Sequence, residues 1–381
     1  MNICNIEEEG RYGGPQRRTV EVAKEIKKFG IQTTVYYSLY DSEKFKKELN
    51  NSNIKCKGID IIRLSLEPRI FFRYIITFFK DIIHLCSIIK NGNYDVVQIN
   101  GTPQYKGAIA SKLAGVPVVW ILEDTEMPFI IRNTTRILAR YLASGIIVTG
   151  KSVYDYYIKN SIIKNKKYIE IHAPVDTKVF NPKLVEPNKL MINRKKINIV
   201  TVAGVSPVKG LDYFIKMASQ LVKNDKKLIF YVAGAELSSQ KTYSKMIKSL
   251  IRSSNLNDEN YKYYGMIDNV QSFLAGADIF VCSSITEAGP MTVWEAMSMG
   301  KAVVTTDVGS VRQYIEDGIS GYIVPVGDTK ALINKVQDLI LNPELAKRMG
   351  IVAREVAKEK LDVLPAAQKY ADFYKQVLFS S

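Results

Sequence analysis

Ser283-Ser284-Ile285-Thr286-Glu287-Ala288-Gly289-Pro290-Met291-Thr292-Val293-Trp294-Glu295-Ala296-Met297-Ser298-Met299-Gly300 is the stretch from which the fold can be read. The apolar run from Ala277 to Cys282 before it predicts a buried strand, and Ala302 to Thr305 after it predicts another. Pro290 suits the first position of a helix, where a missing N–H costs nothing. Gly300 suits the C-terminal cap of the same helix. The order is therefore strand, loop, helix, strand. It puts the loop at the carboxyl end of a strand, where open α/β sheets bind their ligands.

That geometry has chemical consequences. Amides at the helix start, from Gly289 to Thr292, favour an anion. Glu287 falls in the loop before the helix and Glu295 one to two turns inside it. Carboxylates beside an anion site are poor partners for phosphate and good acceptors for sugar hydroxyls. A diphosphate on the helix start with hydroxyls on either side describes a nucleoside-diphosphate sugar. A plainer reading of the same residues has Glu287 offsetting the helix dipole and Glu295 on a solvated face.

Working outward, strand-like and helix-like runs alternate along the whole chain, which predicts an α/β fold. The first unit, Asn2 to Ile6 followed by a loop and a helix from Pro15 or Gln16 to about Phe29, carries Gly13-Gly14 at its turn. Glycines there permit close approach of a phosphate. Further strands are expected at Ile31 to Tyr37, Ile59 to Leu64, Tyr94 to Asn100, Val116 to Leu122 and Gly145 to Thr149. The polar stretch from Asn181 to Arg194 predicts a linker. After it the alternation resumes at Ile197. Pro68 to Lys90 is rich in Ile and Phe but broken by Arg73, Lys80 and Asp81, which is unsuited to crossing a bilayer. It reads either as a core helix or as a helix lying on a membrane surface.

Composition narrows the classes. A chain of 381 residues is long enough for two domains. Its four cysteines, Cys4, Cys56, Cys86 and Cys282, are widely spaced, which suits a reducing, cytoplasmic setting. Two histidines cannot build a histidine metal site. No signal-peptide pattern opens the sequence. The net charge of +15, heavier in the N-terminal half, reflects either a surface preference for anions or a Lys-, Asn-, Ile- and Tyr-rich composition. No nucleic-acid-binding motif accompanies it, so no nucleic-acid partner is expected.

Glu287 through Glu295 resembles the E-x7-E motif of the family-4 retaining glycosyltransferases. The likeness continues through Glu295-Ala296-Met297-Ser298-Met299-Gly300-Lys301 and again from Glu316-Asp317-Gly318 to Asp328. The resemblance implies a GT-B fold, with two Rossmann-like domains facing a cleft. Residues 1–185 would form the acceptor-side domain, with a terminal helix at about 365–381 crossing back to it. Residues 195–364 would bind the nucleotide-sugar. It implies no cofactor and no obligate metal. The substrate would be a UDP-, GDP- or ADP-sugar, and the product would retain configuration at the anomeric carbon.

Roles follow residue by residue from the resemblance. Glu287 would act at the anomeric centre. Lys209, Gly289, Pro290, Met291, Thr292 and Glu295 would bind the donor. Gly13 and Gly14 would face its diphosphate, and the turn at Met266 would lie against the base. Arg17, Glu123 and Asp124 fall on the acceptor side. The acceptor itself is expected to be a glycan or a lipid-linked precursor of a cell-surface polysaccharide, with peripheral contact to an anionic membrane. The chain departs from the pattern at Ala288-Gly289-Pro290, where the family usually has Gly-Phe-Gly, at Gly204, where the family has an arginine, and at Glu123, where it often has a histidine. Those departures leave an alternative open, a GT-B protein that binds nucleotide-sugar or polysaccharide without transferring it.

Overall fold

The computed structural model describes residues 1–65, 67–188, 196–236 and 240–379. Contacts divide the chain into two units, Met1–Pro174 with Val363–Ser381, and Val175–Asp362. The change of unit thus falls before the polar stretch expected to link them. Val175 donates its N–H to Leu361 at 2.9 Å, and Phe180 is buried in the second unit's core beside Trp294. Positions 189–195 of the expected linker lie outside the described residues.

Unit 1 runs β1 (Asn2–Glu7), α1 (Gly14–Glu25), β2 (Gln32–Ser38), α2 (Glu43–Asn51), β3 (Lys55–Ile59), α3 (Pro68–Asn91), β4 (Val96–Asn100), α4 (Tyr105–Ala114), β5 (Val118–Leu122), α5 (Phe129–Leu142), β6 (Gly145–Val148), α6 (Lys151–Tyr157) and β7 (Tyr168–Glu170). Its strands form one parallel sheet in the order β3-β2-β1-β4-β5-β6-β7. β4 and β5 are buried at every position, as expected of parallel strands covered on both faces. The third strand lies earlier than the Ile59 to Leu64 expected from hydropathy. β2 stops at Ser38, which pairs with Ile59, and its hydroxyl then caps the Ile61 carbonyl at 2.7 Å.

Unit 2 runs β8 (Ile197–Val202), α7 (Leu211–Leu221), β9 (Leu228–Ala233), α8 (Lys241–Arg252), β10 (Tyr261–Tyr263), α9 (Val270–Ala275), β11 (Ile279–Cys282), α10 (Met291–Ser298), β12 (Ala302–Thr306), α11 (Val311–Tyr314), β13 (Tyr322–Val324), α12 (Thr329–Leu341) and α13 (Pro343–Val356). Its parallel sheet has the order β10-β9-β8-β11-β12-β13. The last helix, α14 (Val363–Leu378), returns to unit 1. There Tyr370, Phe373, Tyr374 and Val377 pack against β1 and β4 to β6 through Ile3, Val96, Val119, Ile121 and Ile147. Both sheets reverse strand order at their middle, between β1 and β4 and between β8 and β11.

α3 is a half-buried helix. Tyr74, Ile82, Leu85 and Ile89 face the core, while Phe72, Ile75, Ile76, Phe79 and Ile83 are exposed. Among the described residues no helix is long and apolar enough to cross a membrane. Asp81, which reads in the sequence as a break in the apolar run, is buried. Lys106 of α4, fully buried, donates to it at 2.9 Å and to the Ile62 carbonyl at 2.5 Å, and lies 4.3 Å from the Tyr74 ring centre. Removing one partner of such a pair strands a buried charge, which costs about 3–5 kcal/mol. Lys106→Met is therefore expected to lower unfolding free energy by about that amount. Lys106→Met with Asp81→Leu should recover most of it in chemical denaturation; no recovery would show that the pair is not what joins α3 to α4.

Candidate functional site

The switch between β8 and β11 in unit 2 collects the residues singled out from the sequence. Three hydrogen bonds tie the loops there. Ser283 Oγ donates to the Gly210 carbonyl at 2.8 Å, the Ile285 N–H to Val208 at 2.8 Å, and Thr306 Oγ1 to the Ser284 carbonyl at 2.6 Å. Two glycines allow this closeness. A Cβ on Gly210 (φ +57°) would stand 2.0 Å from the Ser283 carbonyl oxygen, and one on Gly309 (φ +56°) 2.5 Å from that of Ala288. Only glycine meets both conditions, left-handed backbone and no side chain.

Within that frame Lys209 Nζ donates to Glu287 Oε1 at 2.5 Å, and Ser284 Oγ donates to the same oxygen at 2.9 Å. Burial works against the Lys209 charge, but the Glu287 carboxylate outweighs it and raises the lysine's pKa above its ordinary value. α10 starts at Met291 with Pro290 as its cap residue, one position later than expected. The Pro290 carbonyl takes the Val293 and Trp294 amides, and those of Met291 and Thr292 precede these first bonds. Glu295, on α10, is 2% exposed and lies inside the domain rather than on a solvated face. Gly204 ends up at the mouth of the β8 loop, and a Cβ there would meet nothing nearer than the Ala235 oxygen at 3.6 Å. Met266 is exposed, next to Gly265 at φ +63°.

The corresponding switch in unit 1, between β1 and β4, opens into a cavity of about 950 Å³. Acidic groups line its depth: Glu7, Glu8, Glu123 and Asp124. Gly13 and Gln16 border it, and Leu64, Phe71, Met127, Pro128 and Ile130 form an apolar flank. The glycine loop is held by Gln16, whose Oε1 accepts the Gly13 N–H at 3.1 Å and whose Nε2 donates to the Glu9 carbonyl at 3.3 Å. Arg17 does not line this cavity; it pairs with Glu21 along α1 at 3.0 Å. Its neighbour Arg18, 3% exposed, reaches Glu123 Oε2 at 2.7 Å. Arg18 also touches Asn100, which Gln98 holds from below at 2.8 Å, and Tyr374 of α14 donates to Gln98. Glu123 is therefore a fixed, ion-paired carboxylate and not a loose loop residue.

Burial dominates the titration of the remaining acids. It drives Glu7 up to about 8, despite the bond from Thr19 Oγ1 at 2.5 Å. It drives Asp124 up to about 6, with the Glu123 charge adding to the effect and bonds from Thr102 opposing it. Glu7, Glu8 and Arg18 escaped the reading of the sequence. The one available signal was the run Glu7-Glu8-Glu9 directly after a strand, where charge has no structural purpose.

Comparison with known proteins gives a family and a fold. Residues 12–179 match the family model described as Glycosyltransferase Family 4, and residues 183–356 that described as Glycosyl transferases group 1. One similar protein is the N,N'-diacetylbacillosaminyl-diphospho-undecaprenol alpha-1,3-N-acetylgalactosaminyltransferase of Campylobacter jejuni. It is 24% identical over 363 residues, covering 90% of this chain and 91% of the relative. The UDP-Gal:alpha-D-GlcNAc-diphosphoundecaprenol alpha-1,3-galactosyltransferase of Escherichia coli is 23% identical, over 69% of this chain and 72% of its own. Among solved structures, a glycosyltransferase from Rickettsia africae superposes with a TM-score of 0.83 at 22% identity, covering 100% of this chain and 99% of that one. Anabaena HepE in complex with UDP and glucose does so with a TM-score of 0.82 at 19% identity, over 98% and 99%.

The raised pKa of Glu7 has a consequence for stability. Its unfolded value is about 4.5 and its folded value about 8. Between them the unfolded chain has released the proton that the folded chain still holds, so stability falls as pH rises through that window. Glu7→Gln removes this term. Between pH 5 and pH 8 the wild type is expected to lose on the order of 2–4 kcal/mol more than the variant in urea melts. Parallel pH profiles for the two proteins would show that the carboxyl is not held protonated.

Proposed function

The chain belongs to the family-4 glycosyltransferases of GT-B fold, and from that premise we propose that it moves a hexose from a nucleoside-diphosphate sugar to a hydroxyl of a lipid-linked glycan, with retention and without a metal. The observation that carries this reading is the Lys209–Glu287–Ser284 cluster at the β8/β11 switch, beside the start of α10. Lys209 and the amides of Met291 and Thr292 supply positive potential for the departing diphosphate. Glu287, held on one oxygen by Lys209 and Ser284, presents its other oxygen to hydroxyls of the donor sugar. Glu295 takes the ribose hydroxyls.

In the proposed step the bond from the anomeric carbon to the diphosphate oxygen breaks. The acceptor oxygen bonds to the same face, and its proton passes to the departing oxygen. HepE is bound to UDP and glucose, and the E. coli relative is named for UDP-Gal, so a UDP-sugar heads the donors to test. Both named relatives act on undecaprenol-linked sugars, which supports a lipid-linked acceptor. Four unpaired cysteines suit the cytoplasmic side of a membrane. Contact with that membrane would come through the exposed Phe72, Ile76 and Phe79 of α3 and Phe129 and Ile130 of α5, with Arg69, Lys80 and Arg140 beside them.

The deciding experiment is thermal unfolding with UDP-, GDP- and ADP-sugars in the presence of chelator. The matching donor should stabilise the wild type by about 2.7 kcal/mol at a hundred times its Kd. Glu295→Ala should abolish the shift. Gly204→Arg, which the backbone can accommodate, should strengthen it. Glu287→Gln should bind donor yet transfer roughly a hundredfold more slowly. Donor binding with neither transfer nor hydrolysis would favour the non-catalytic reading, which the missing arginine at Gly204 motivates.

Membrane contact has its own test. The protein should sediment with vesicles of phosphatidylglycerol and phosphatidylcholine and not with phosphatidylcholine alone. Phe72→Ser with Ile76→Ser should release it; unchanged sedimentation of the double variant would remove α3 from the membrane.

A further inference from the structure

Glu8 has no role in the chemistry described so far, and its surroundings are unusual. It follows β1 directly, is 2% exposed and lines the 950 Å³ cavity of unit 1. Among the described residues neither of its oxygens has a hydrogen-bond partner. Burial raises its pKa to about 7, against the pull of the Lys106 charge. The Gly107 amide is near enough to favour the charged form without reaching it in hydrogen-bond geometry. A buried carboxyl left without partners destabilises a fold. Glu8 is among the residues lining a space large enough for a sugar.

A second, smaller cavity of about 230 Å³ meets the first at Glu8. Its lining includes Arg11, Arg63, Arg69 and Arg73. Glu9 holds Arg63 at 2.9 Å and Arg11 at 3.7 Å, and Asp60 holds Arg73 at 2.8 Å, so the guanidinium groups are oriented before any ligand arrives. Arginine forks suit phosphate oxygens better than point charges do. The exposed apolar face of α3 begins beside both spaces, with Ile70 in the small one and Phe71 in the large one.

We infer that Glu8 reads a hydroxyl or amide group on the acceptor's terminal sugar, while the arginine-lined cavity takes the diphosphate that joins this sugar to its lipid. The sequence of environments is carboxyl, then arginines, then apolar helix. A sugar–diphosphate–lipid molecule has the same order of groups. This rests on the glycosyltransferase reading above and adds to it the residues that select the acceptor.

The test uses the full chain, the donor that stabilises it, and two synthetic acceptors carrying N-acetylglucosamine. One is linked to a short alkyl chain through diphosphate and the other is the plain alkyl glycoside. The wild type should prefer the diphosphate form. Glu8→Gln, which keeps the shape of the side chain, should lower acceptor kcat/KM about tenfold to a hundredfold on both acceptors alike, with donor hydrolysis unchanged and the melting temperature not lowered. Arg63→Gln and Arg69→Gln should instead shrink the preference for the diphosphate form about tenfold.

Unchanged acceptor kinetics in Glu8→Gln would overturn the role of Glu8. A preference that the arginine variants leave intact would overturn that of the cavity. A wild type that hydrolyses donor but uses neither acceptor would overturn the acceptor class. Failure even to bind or hydrolyse a donor would sink the glycosyltransferase reading itself, and this inference with it.

Discussion

A parallel sheet whose chain runs outward from its middle in both directions must leave a gap there, because the loops after the two central strands diverge to opposite faces. Each unit of this protein has one such gap, after β1 and β4 in the first and after β8 and β11 in the second. The residues singled out for the two candidate sites lie at one of them or on the neighbouring strand end. In unit 2 the gap holds Lys209, Ser284 and Glu287; in unit 1 it holds Glu7, Glu8, Asn100 and Gly101, with Glu123 and Asp124 following β5. Chemistry follows topology because strand ends there are screened from water without being packed solid. Elsewhere the same strands are filled by Ile, Val, Phe and Trp, and a carboxylate would have no place.

The two gaps were unequally visible in the sequence. Glu287 and Glu295 stand on one local segment, so their spacing and the capping residues around them suffice to place both. Lys209 could be placed by its loop, but its ion pair with Glu287 joins residues 78 positions apart and had no local trace. In unit 1 almost nothing was local. Arg18 meets Glu123 across 105 residues, and Tyr374 supports Gln98 across 276. That Arg18 is the arginine that meets Glu123 was not legible, for a simple reason. Helix α1 turns about 100° per residue, and hydropathy fixes its buried face too loosely to tell which of two adjacent arginines points inward. The division of the chain was also hard to see, since Val175 and Phe180 are apolar residues whose partners lie far along the sequence in unit 2.

The exchange of arginine for Gly204 and of histidine for Glu123 changes how charge is distributed in the two gaps. Glu123 would be a liability as a bare carboxylate beside Glu7 and Asp124, which already resist ionisation. Arg18 removes that liability by pairing with it directly; burial alone would lower the Arg18 pKa, and the Glu123 carboxylate is the main charge that raises it instead. The ion pair fixes Glu123 in place, while Glu7 and Asp124 beside it keep raised pKa values.

In unit 2 the balance is tighter. On the proposed reading an incoming diphosphate meets Lys209 already paired with Glu287, two side chains whose charges nearly cancel. Attraction must then come from polarising the pair and from the α10 amides, which carry partial charge that no carboxylate can neutralise. A cluster built this way binds the anion less strongly in the ground state than one with a second free cation. It gains most when charge accumulates on the departing oxygen, because Lys209 can then shift its strongest bond from carboxylate to phosphate. Interactions that strengthen only along the reaction are the ones that raise turnover. On the proposed reading, the pair at Glu287 is where that strengthening would arise.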